Sequence, residues 1–230
     1  MQLRTRAIDD CVEQFVADGG RQVLLLGAGY DTRALRLAQA APDVVFYEVD
    51  HPSTQAHKQK VLARQRQEPV RARYLAWDFE SRGLHALPAA LAALGHRASA
   101  PTLTIWEGVT MYLSPAAIEA SLRCVRALSG PGSRLVLTYF DRLAIQHASP
   151  LRSFVARIGE PLRFGWSRGE LGPHLAAHGF ELASDEDPVQ LARRLLPAEY
   201  AEAPFPQFRH IACAVYVAAA PAQAADGGSV

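Results

Sequence analysis

The sequence predicts an α/β fold with a doubly wound, mostly parallel sheet. Patterns typical of strands alternate with patterns typical of helices up to about residue 140. The first strand pattern, Gln22–Leu26, is apolar throughout, as in strands that are covered on both faces of a parallel sheet. A glycine turn or an acidic residue directly follows several of these strands, and open α/β sheets bind ligands at the carboxyl ends of their strands.

The first predicted elements are a helix and then two strands, each followed by another helix. Apolar residues at helical spacing predict the first helix, which ends at Gly19 and Gly20. A short apolar run and a β-rich run predict the two strands. In chain order these elements span about Ala7–Asp18, Gln22–Leu26, a helix that begins near Asp31 and Thr32, Val44–Asp50 and Pro52–Leu62.

Three further strand patterns alternate with two helices in the middle of the chain. Leucines at helical spacing mark one helix around Leu84–Leu94. Ser114 and Pro115 give the other helix an N-cap and a proline at its first position. The three strands are predicted at Arg73–Trp77, Thr102–Trp106 and Arg134–Phe140.

The alternation is less regular beyond the fifth strand. Residues 142–166 are predicted to form a helical insertion over the carboxyl edge of the sheet. Ser167 and Glu170 have the spacing of a capping box for a helix that ends at Gly179. The last two strands are predicted at Phe180–Ala183 and His210–Ala219.

The composition predicts one globular domain. The chain has 230 residues, of which 49% are hydrophobic, and 24 Lys and Arg against 23 Asp and Glu give a formal charge of +1. This balance excludes an intrinsically disordered chain, and it argues against a nucleic-acid-binding module, which needs a surplus of basic residues. We expect one domain over residues 1–220 and a disordered tail at 221–230, where the residues are small and polar.

The cysteines and the N-terminus point to a cytoplasmic protein without membrane contact. Cys11, Cys124 and Cys213 are odd in number and lack the short spacings of zinc sites or disulfide frameworks. No signal-peptide pattern is present at the N-terminus. The most apolar run, Ile211–Ala220, is about half of the roughly 20 residues that cross a bilayer.

A Gly-x-Gly turn after the first strand and an acid after the second outline a site for a nucleoside cofactor. Gly27 and Gly29 allow the backbone to approach a ligand closely. Asp50 can accept two hydrogen bonds from a ribose diol, with Glu48 as the second candidate. A tight turn and a surface aspartate without any ligand would have the same pattern.

The residues after the turn favour S-adenosyl-L-methionine over a dinucleotide. A dinucleotide fold has Gly or Ala where Thr32 stands, and it places a pyrophosphate at the helix N-terminus. Asp31 would repel a pyrophosphate, whereas the sulfonium and ammonium groups of S-adenosyl-L-methionine tolerate a carboxylate. Asp31 fits an N-cap of the following helix equally well.

Four segments carry motifs in chain order: Arg4–Asp10 (RTRAIDD), Gln22–Arg33 (QVLLLGAGYDTR), Tyr47–Pro52 (YEVDHP) and Glu107–Leu113 (EGVTMYL). Together they resemble the leucine carboxyl methyltransferase-like family of class I methyltransferases, which includes bacterial polyketide O-methyltransferases. The resemblance covers residues 4–141 and implies a Rossmann-like fold that binds S-adenosyl-L-methionine.

The resemblance also implies roles for individual residues. Gly27 would approach the methionine moiety of the donor, and Asp50 would bind its ribose. The carboxylate of Asp78, with the backbone of Phe79, would recognise adenine. Glu107 would lie under the donor, and Arg4 would pair with the donor's carboxylate. Without the resemblance, Asp78 fits a helix N-cap or a solvent-facing acid equally well.

The acceptor is expected to be a carboxylate or a hydroxyl of a small molecule, methylated on oxygen. A carboxylate acceptor needs no base, whereas a hydroxyl does, and Tyr139 or His147 are the candidates. Tyr112 fits the acceptor pocket or plain packing. The alternatives are a family member that binds the donor with little or no catalysis, and an NAD(P)-dependent oxidoreductase.

Relatives carry a longer helical segment ahead of the motif that begins at Arg4, and this segment covers the acceptor pocket. We expect the cover to come from residues 142–166 and 188–209, or from a partner subunit; otherwise the chain is a weakly active relative. An open pocket would expose apolar surface, which favours a homodimer.

No metal is expected. His174 and His178 have helical i, i+4 spacing but no third ligand nearby in the sequence, so we interpret them as part of a solvated helix face.

Overall fold

The computed structural model describes residues 3–37, 39–66, 71–79, 81–147, 162–167, 169–201 and 208–217. In these parts, helices pack on both faces of a seven-stranded sheet. The helices are α1 (Leu3–Ala17), α2 (Arg33–Arg36), α3 (Pro52–Arg64), α4 (Leu87–Ala93), α5 (Pro115–Ala127), α6 (Arg142–His147), α7 (Leu171–Ala177), α8 (Pro188–Leu195) and α9 (Ala198–Ala201). The strands are β1 (Gln22–Leu26), β2 (Val45–Asp50), β3 (Ala72–Ala76), β4 (Thr102–Trp106), β5 (Arg134–Phe140), β6 (Phe180–Glu186) and β7 (Arg209–Tyr216).

The strand order is β3-β2-β1-β4-β5-β7-β6. Strands β1 to β5 pair in parallel, whereas β7 is antiparallel to both of its neighbours. The chain runs outward from β1 to β3 and then crosses back to β4 on the other side of β1. Ligands bind at such a switch point, beside the carboxyl ends of the two central strands. The predicted doubly wound, mostly parallel sheet is confirmed.

The two faces of the sheet bury two separate apolar cores. Along β1, Leu24 and Leu26 point into one core with α4 and α5, while Val23 and Leu25 point into the other with α1. Every residue of β1 is buried. The prediction that this continuous apolar run forms a strand covered on both faces is therefore confirmed.

Several predicted bounds differ from the observed ones. Strands β1, β4 and β5 have the predicted bounds. Helix α1 begins at Leu3 instead of Ala7, because Leu3 also packs against the core beneath it. Helix α2 has only four residues. Strand β6 continues to Glu186, three residues beyond the predicted Ala183, because it pairs with β7 along that length.

The helix caps confirm one prediction and correct another. The Oγ atom of Ser114 accepts the N–H of Ala117 at 3.2 Å, as expected for the N-cap of α5. The predicted capping box at Ser167 is wrong: the Glu170 carboxylate accepts the N–H of Ser167 at 2.9 Å, but Glu170 is itself the N-cap of α7. A complete capping box instead starts α8, where Asp187 is the N-cap.

The predicted insertion lies partly outside the described residues, and the predicted tail lies wholly outside them. Helix α6 follows β5, but residues 148–161 and the predicted tail 221–230 lie outside the described residues. Among the residues that the structure describes, no helix has both the length and the apolar character needed to span a bilayer.

A buried ion pair joins β2 to α3. The Glu48 side chain is 1% exposed and pairs with the ammonium group of Lys58, while the Glu48 carbonyl accepts the Gln55 amide at 2.9 Å. Burial raises the pKa of Glu48, and the charge of Lys58 lowers it again in part. Because its carboxylate is committed to Lys58, Glu48 is not available as a second candidate for a ribose.

Replacing Lys58 by methionine should lower the free energy of unfolding by about 3–5 kcal/mol near neutral pH, because ionised Glu48 would be buried without its partner. The control is Lys60→Met, at an exposed lysine of the same helix, which should change stability by less than about 0.5 kcal/mol. Urea unfolding followed by circular dichroism measures both variants, and equal losses would contradict the prediction.

The deficit of Lys58→Met should also depend on pH. The pKa of Glu48 is higher in the folded chain than in the unfolded one, so the folded state takes up a proton first as the pH falls. A protonated carboxyl needs no cationic partner, and the deficit should shrink between neutral pH and about pH 5.

Candidate active site

The Gly-x-Gly turn holds the ends of β1 and β2 together. Gly27 has a φ of +77°, and its N–H and that of Ala28 both donate to the carbonyl of Val49, at 2.9 and 3.1 Å. A Cβ atom at Gly27 would lie 2.6 Å from Cγ2 of Val109. Both the backbone angle and this close approach therefore require glycine.

Asp50 fixes the second half of this turn. Its Oδ2 accepts the N–H of Gly29 at 2.6 Å, and its Oδ1 accepts the N–H of His51 at 2.7 Å. Asp50 is half-buried. Asp50 is therefore more than a surface aspartate, because its carboxylate helps to hold the turn. Each carboxylate oxygen has a further lone pair, so Asp50 can still accept hydroxyl groups of a ligand.

A charged cluster centred on Arg33 lies next to the turn. The Arg33 side chain is 2% exposed, and it contacts three carboxylates that come from α1 and from the loops after β1 and β4. The cluster consists of Arg4, Arg33 and Arg36 with Asp9, Asp31 and Glu107. Three positive charges meet three negative ones, so the buried cluster is neutral as a whole.

The charges of this cluster stabilise one another. Burial disfavours the charged form of Asp9, but hydrogen bonds from Arg36 and Arg33 outweigh it and lower the pKa of Asp9. Burial likewise disfavours the charge of Arg33, but Asp31 and Glu107 raise its pKa. All three groups around the Arg33 guanidinium are therefore ion-pair partners.

Asp31 does not act as the predicted N-cap. Thr32 occupies the N-cap position of α2 without a side-chain cap bond. Asp31 instead accepts the N–H of Arg33 at 2.6 Å, and its other oxygen contacts the Arg33 guanidinium.

A cavity of about 440 Å³ adjoins the glycine turn. Four of the residues predicted to bind the cofactor line it: Arg4, Gly27, Gly29 and Glu107. The Nε atom of Arg4 lies 2.5 Å from Oε1 of Glu107, in a contact without hydrogen-bond geometry. This buried Nε therefore donates no hydrogen bond to any residue in the described parts of the chain. Asp50, Asp78 and Phe79 lie outside the described lining of this cavity.

Asp78 and Phe79 follow β3. The Oγ atom of Ser81 donates to Oδ2 of Asp78 at 2.7 Å, and Phe79 is exposed. The N–H of Trp77 donates to the carbonyl of Asp50 at 2.8 Å, which ties this loop to the end of β2. Asp78 thus organises a turn, and its contact with adenine stays a prediction.

A second cavity, of about 640 Å³, adjoins the first, and Arg4 and Gly108 line both. Its wall is mostly apolar and includes side chains from α1, β5, α8 and β7. Tyr112 and Tyr139 line it as well. Tyr139 is 1% exposed, and its hydroxyl donates to Oδ2 of Asp185 at 2.6 Å. His147 is the last residue of α6, and its side chain lies outside the described parts.

The two histidines of α7 do not lie on a solvated helix face, as was predicted. His178 is buried, and Glu119 of α5 contacts His174 at 2.6 Å and His178 at 3.0 Å. Glu119 is the third potential ligand that the sequence spacing did not reveal. However, Nδ1 of His174 accepts the indole N–H of Trp166 at 2.8 Å, so the proton of neutral His174 must sit on Nε2, which faces Glu119. That arrangement suits a hydrogen-bonded cluster and leaves no lone pair on neutral His174 for a metal.

Sequence reasoning missed Asp9 and Arg33, although both lie in quoted motifs. A signal was present for Asp9, since it stands next to Ile8 and three residues before Val12 on the apolar face of α1. A charged residue on such a face needs a buried partner. No local pattern distinguished Arg33 from the other arginines of the chain.

Asp9→Asn should lower the free energy of unfolding by about 3 kcal/mol at neutral pH, because it leaves the buried Arg33 cluster one negative charge short. Because the pKa of folded Asp9 is lowered, its stabilisation is complete above the ordinary pKa of about 3.9 and is lost as the pH falls through the folded value. The deficit should therefore vanish in acid.

The matched control for this substitution is Asp10→Asn. Asp10 pairs with Arg6 and Arg194 at the surface, and such pairs contribute about 0–1 kcal/mol. Denaturant unfolding as a function of pH measures both variants. Equal losses in the two would show that the cluster does not stabilise the fold.

Comparisons with known proteins agree with this geometry. The leucine carboxyl methyltransferase family matches residues 1–126. A protein of Mycolicibacterium gilvum is 36% identical over 211 residues, which cover 86% of this chain and 67% of the relative. A protein of Streptomyces coelicolor is 40% identical over 145 residues, which cover 63% of this chain and 50% of the relative. Both carry the provisional name S-adenosyl-L-methionine-dependent methyltransferase.

Solved structures show the same fold. Magnesium protoporphyrin IX methyltransferase from Synechocystis, solved with bound S-adenosylhomocysteine, superposes with a TM-score of 0.59 at 16% identity, over 93% of this chain and 84% of that one. The chain spans about half to two thirds of the length of the curated relatives that it matches. The comparisons confirm the predicted fold class and the predicted cofactor, S-adenosyl-L-methionine. This chain belongs to the leucine carboxyl methyltransferase family of S-adenosyl-L-methionine-dependent methyltransferases.

Proposed function

We propose that the chain transfers the methyl group of S-adenosyl-L-methionine to a carboxylate or hydroxyl oxygen of a small molecule. The observation that carries the proposal is the junction of two cavities at Arg4 and Gly108. One cavity contains the glycine turn and the charged cluster, and the other is mostly apolar. A donor in the first would meet an acceptor in the second at this junction.

The residues around the first cavity fit the donor chemically. The methionine moiety carries a carboxylate and an ammonium group, and the lining offers arginines for the one and carboxylates for the other. Arg4 and Glu107, which would face the methionine moiety, are held against each other by an ion pair. A dinucleotide would bring a pyrophosphate to Asp31 and to the N-terminus of α2, whose four residues give little helix dipole.

The donor would supply a methyl group already activated by the positive sulfonium. The protein then has to align the reactants and exclude water. Gly27 and Gly29 let the backbone come close to the donor, and Asp50 has lone pairs left for its ribose. Arg4 and Gly108 stand where the two cavities meet.

The second cavity favours an acceptor that carries negative charge. Arg4 and Arg209 line it, and the described part of its lining contains no acidic residue. Cationic groups attract a carboxylate or a phenolate and repel a protonated amine. This supports methylation on oxygen.

Helix α8 would serve as the cover that the acceptor pocket was expected to need. Pro188 and Leu191 of α8 and the following Leu196 line the second cavity. These residues come from the predicted cover segment 188–209, which supports a catalytic protein over one that only binds the donor. A homodimer was expected because an open pocket would expose apolar surface. A pocket that α8 covers gives less reason to expect one.

Isothermal titration calorimetry separates the proposal from an oxidoreductase. The chain should bind S-adenosylhomocysteine, and NADH in a parallel titration should give no binding heat. Binding of NADH without binding of S-adenosylhomocysteine would overturn the proposed function.

Asp50→Ala should weaken S-adenosylhomocysteine binding about ten- to a hundred-fold or more, because charge-assisted bonds to the ribose are lost. It should also destabilise the apo protein by about 1–3 kcal/mol, since the N–H groups of Gly29 and His51 lose their acceptor. Asp43→Ala, at an exposed position before β2, is the control.

Circular dichroism must show that Asp50→Ala is folded at the temperature of the titration. A folded Asp50→Ala protein that binds S-adenosylhomocysteine as tightly as the wild type would rule out Asp50 as the ribose anchor. Asp50→Asn, which keeps the shape of the side chain, should bind more weakly than the wild type even where Asp50→Ala is too unstable to measure.

A further inference from the structure

Three polar side chains from neighbouring strands meet at the wall of the second cavity. Tyr139 of β5 is paired in register with His210 of β7, and their rings stack with centroids 4.8 Å apart. Asp185 of β6 lies within 2.6 Å of the Tyr139 hydroxyl and 3.1 Å of Nδ1 of His210. His210 is buried in the fold yet lines the cavity.

A β-bulge places Asp185 on the same face of the sheet as His210. The pairing of β6 with β7 shifts by one residue between Leu182 and Ser184, so that Asp185 stands opposite Ala212. With an unshifted register Asp185 would stand opposite Ile211, whose side chain belongs to the core on the other face. A one-residue shift exchanges the faces of all later side chains. The contact between Asp185 and His210 thus depends on this irregularity.

The contact with Asp185 orients the imidazole of His210. A carboxylate beside Nδ1 favours the tautomer that carries its proton on Nδ1, which leaves the lone pair on Nε2. Nε2 makes no hydrogen bond to any residue that the structure describes. A histidine held by a carboxylate and lining a cavity has the arrangement of a general base.

We propose that His210 is the general base for a hydroxyl acceptor in the second cavity, and that Asp185 and Tyr139 are its positioning residues. The inference rests on the proposed function and narrows it, since a carboxylate acceptor would need no base. It assigns to His210 the role that the sequence suggested for Tyr139 or His147.

The step balances as follows. Nε2 of His210 takes the proton of the acceptor hydroxyl while the acceptor oxygen forms a bond to the methyl carbon. The carbon–sulfur bond breaks, its electron pair stays on sulfur, and the sulfonium becomes a neutral thioether. The positive charge ends on the imidazolium, where the Asp185 carboxylate stabilises it, until solvent takes the proton.

Tyr139 is less suited to act as the base. Its hydroxyl donates to Asp185, so its oxygen is committed to holding that carboxylate in place. The other titratable or charged side chains around His210 and the cavity are Asp185, Tyr112, Arg4 and Arg209. The two arginines favour the developing negative charge on the acceptor oxygen.

Two phenols test the proposal with S-adenosyl-L-methionine as donor and mass spectrometry of the methyl ethers as readout. Phenol ionises only at about pH 10, as tyrosine does, and needs a base near neutral pH. 4-Nitrophenol is a far stronger acid, and a substantial fraction of it is ionised there without help. His210→Gln should methylate phenol roughly 10²- to 10⁴-fold more slowly than the wild type and 4-nitrophenol at a rate within a few-fold. His85→Gln, at an exposed histidine, is the control.

The pH profile separates a base from a merely structural histidine. With phenol, the wild-type rate should rise with pH as the base loses its proton, and His210→Gln should lose this rise. Asp185→Asn should lower the phenol rate, because the imidazolium loses its counter-charge. Equal losses on both phenols, or none, would overturn the proposal.

A measurement that needs no turnover tests the inference even when the acceptor is unknown. Nitrogen-15 NMR of the histidine side chains, with His210→Gln to identify the signals, should show neutral His210 protonated on Nδ1. The opposite tautomer would overturn the proposal. A wild-type protein that binds S-adenosylhomocysteine and methylates phenylacetate but neither phenol would overturn it as well, while leaving methyl transfer to a carboxylate standing. Failure to bind S-adenosylhomocysteine would overturn the proposed function itself.

Discussion

The buried guanidinium of Arg33 holds together the elements that meet at the carboxyl ends of the parallel strands. Three carboxylates surround it, from α1, from the loop after β1 and from the loop after β4. Buried charges are tolerated only when they are paired, so each of these elements has to keep its place for the others to remain paired. The cluster thereby holds α1 against the sheet and brings Arg4, four residues into the chain, to the cavity beside the glycine turn.

The sheet sets the positions of the other site residues by simple geometry. Parallel strands end at a common edge, so the segments after β1, β2, β3 and β4 carry Gly27, Asp50, Asp78 and Glu107 to the same side of the molecule. Glu48 lies within β2 and belongs to the buried pair with Lys58, whereas Asp50 is the last residue of the strand and contacts the glycine turn.

The sequence allowed the central strands and the cofactor motif to be predicted because both are local. Apolar runs predict β1, β4 and β5 with the first and last residues that the structure has. A glycine turn followed by an acid predicts Gly27 and Asp50 as site residues. The failures involve residues that are distant in sequence. Glu119 stands 55 residues from His174, and nothing near either residue indicates the contact. Asp185 meets His210 only because a bulge changes the register of two strands, and the position of a bulge depends on both partners.

The order in which the strands are joined has a consequence for assembly. Strand β7 comes after β6 in the chain but lies between β5 and β6 in the sheet, so β6 has no edge to join until β7 is in place. The described residues that line the cavity at the glycine turn lie between Arg4 and Val109, whereas the described lining of the second cavity also includes residues of α8 and β7. During synthesis, the described residues of the first cavity therefore leave the ribosome before the residues of α8 and β7 that complete the second cavity.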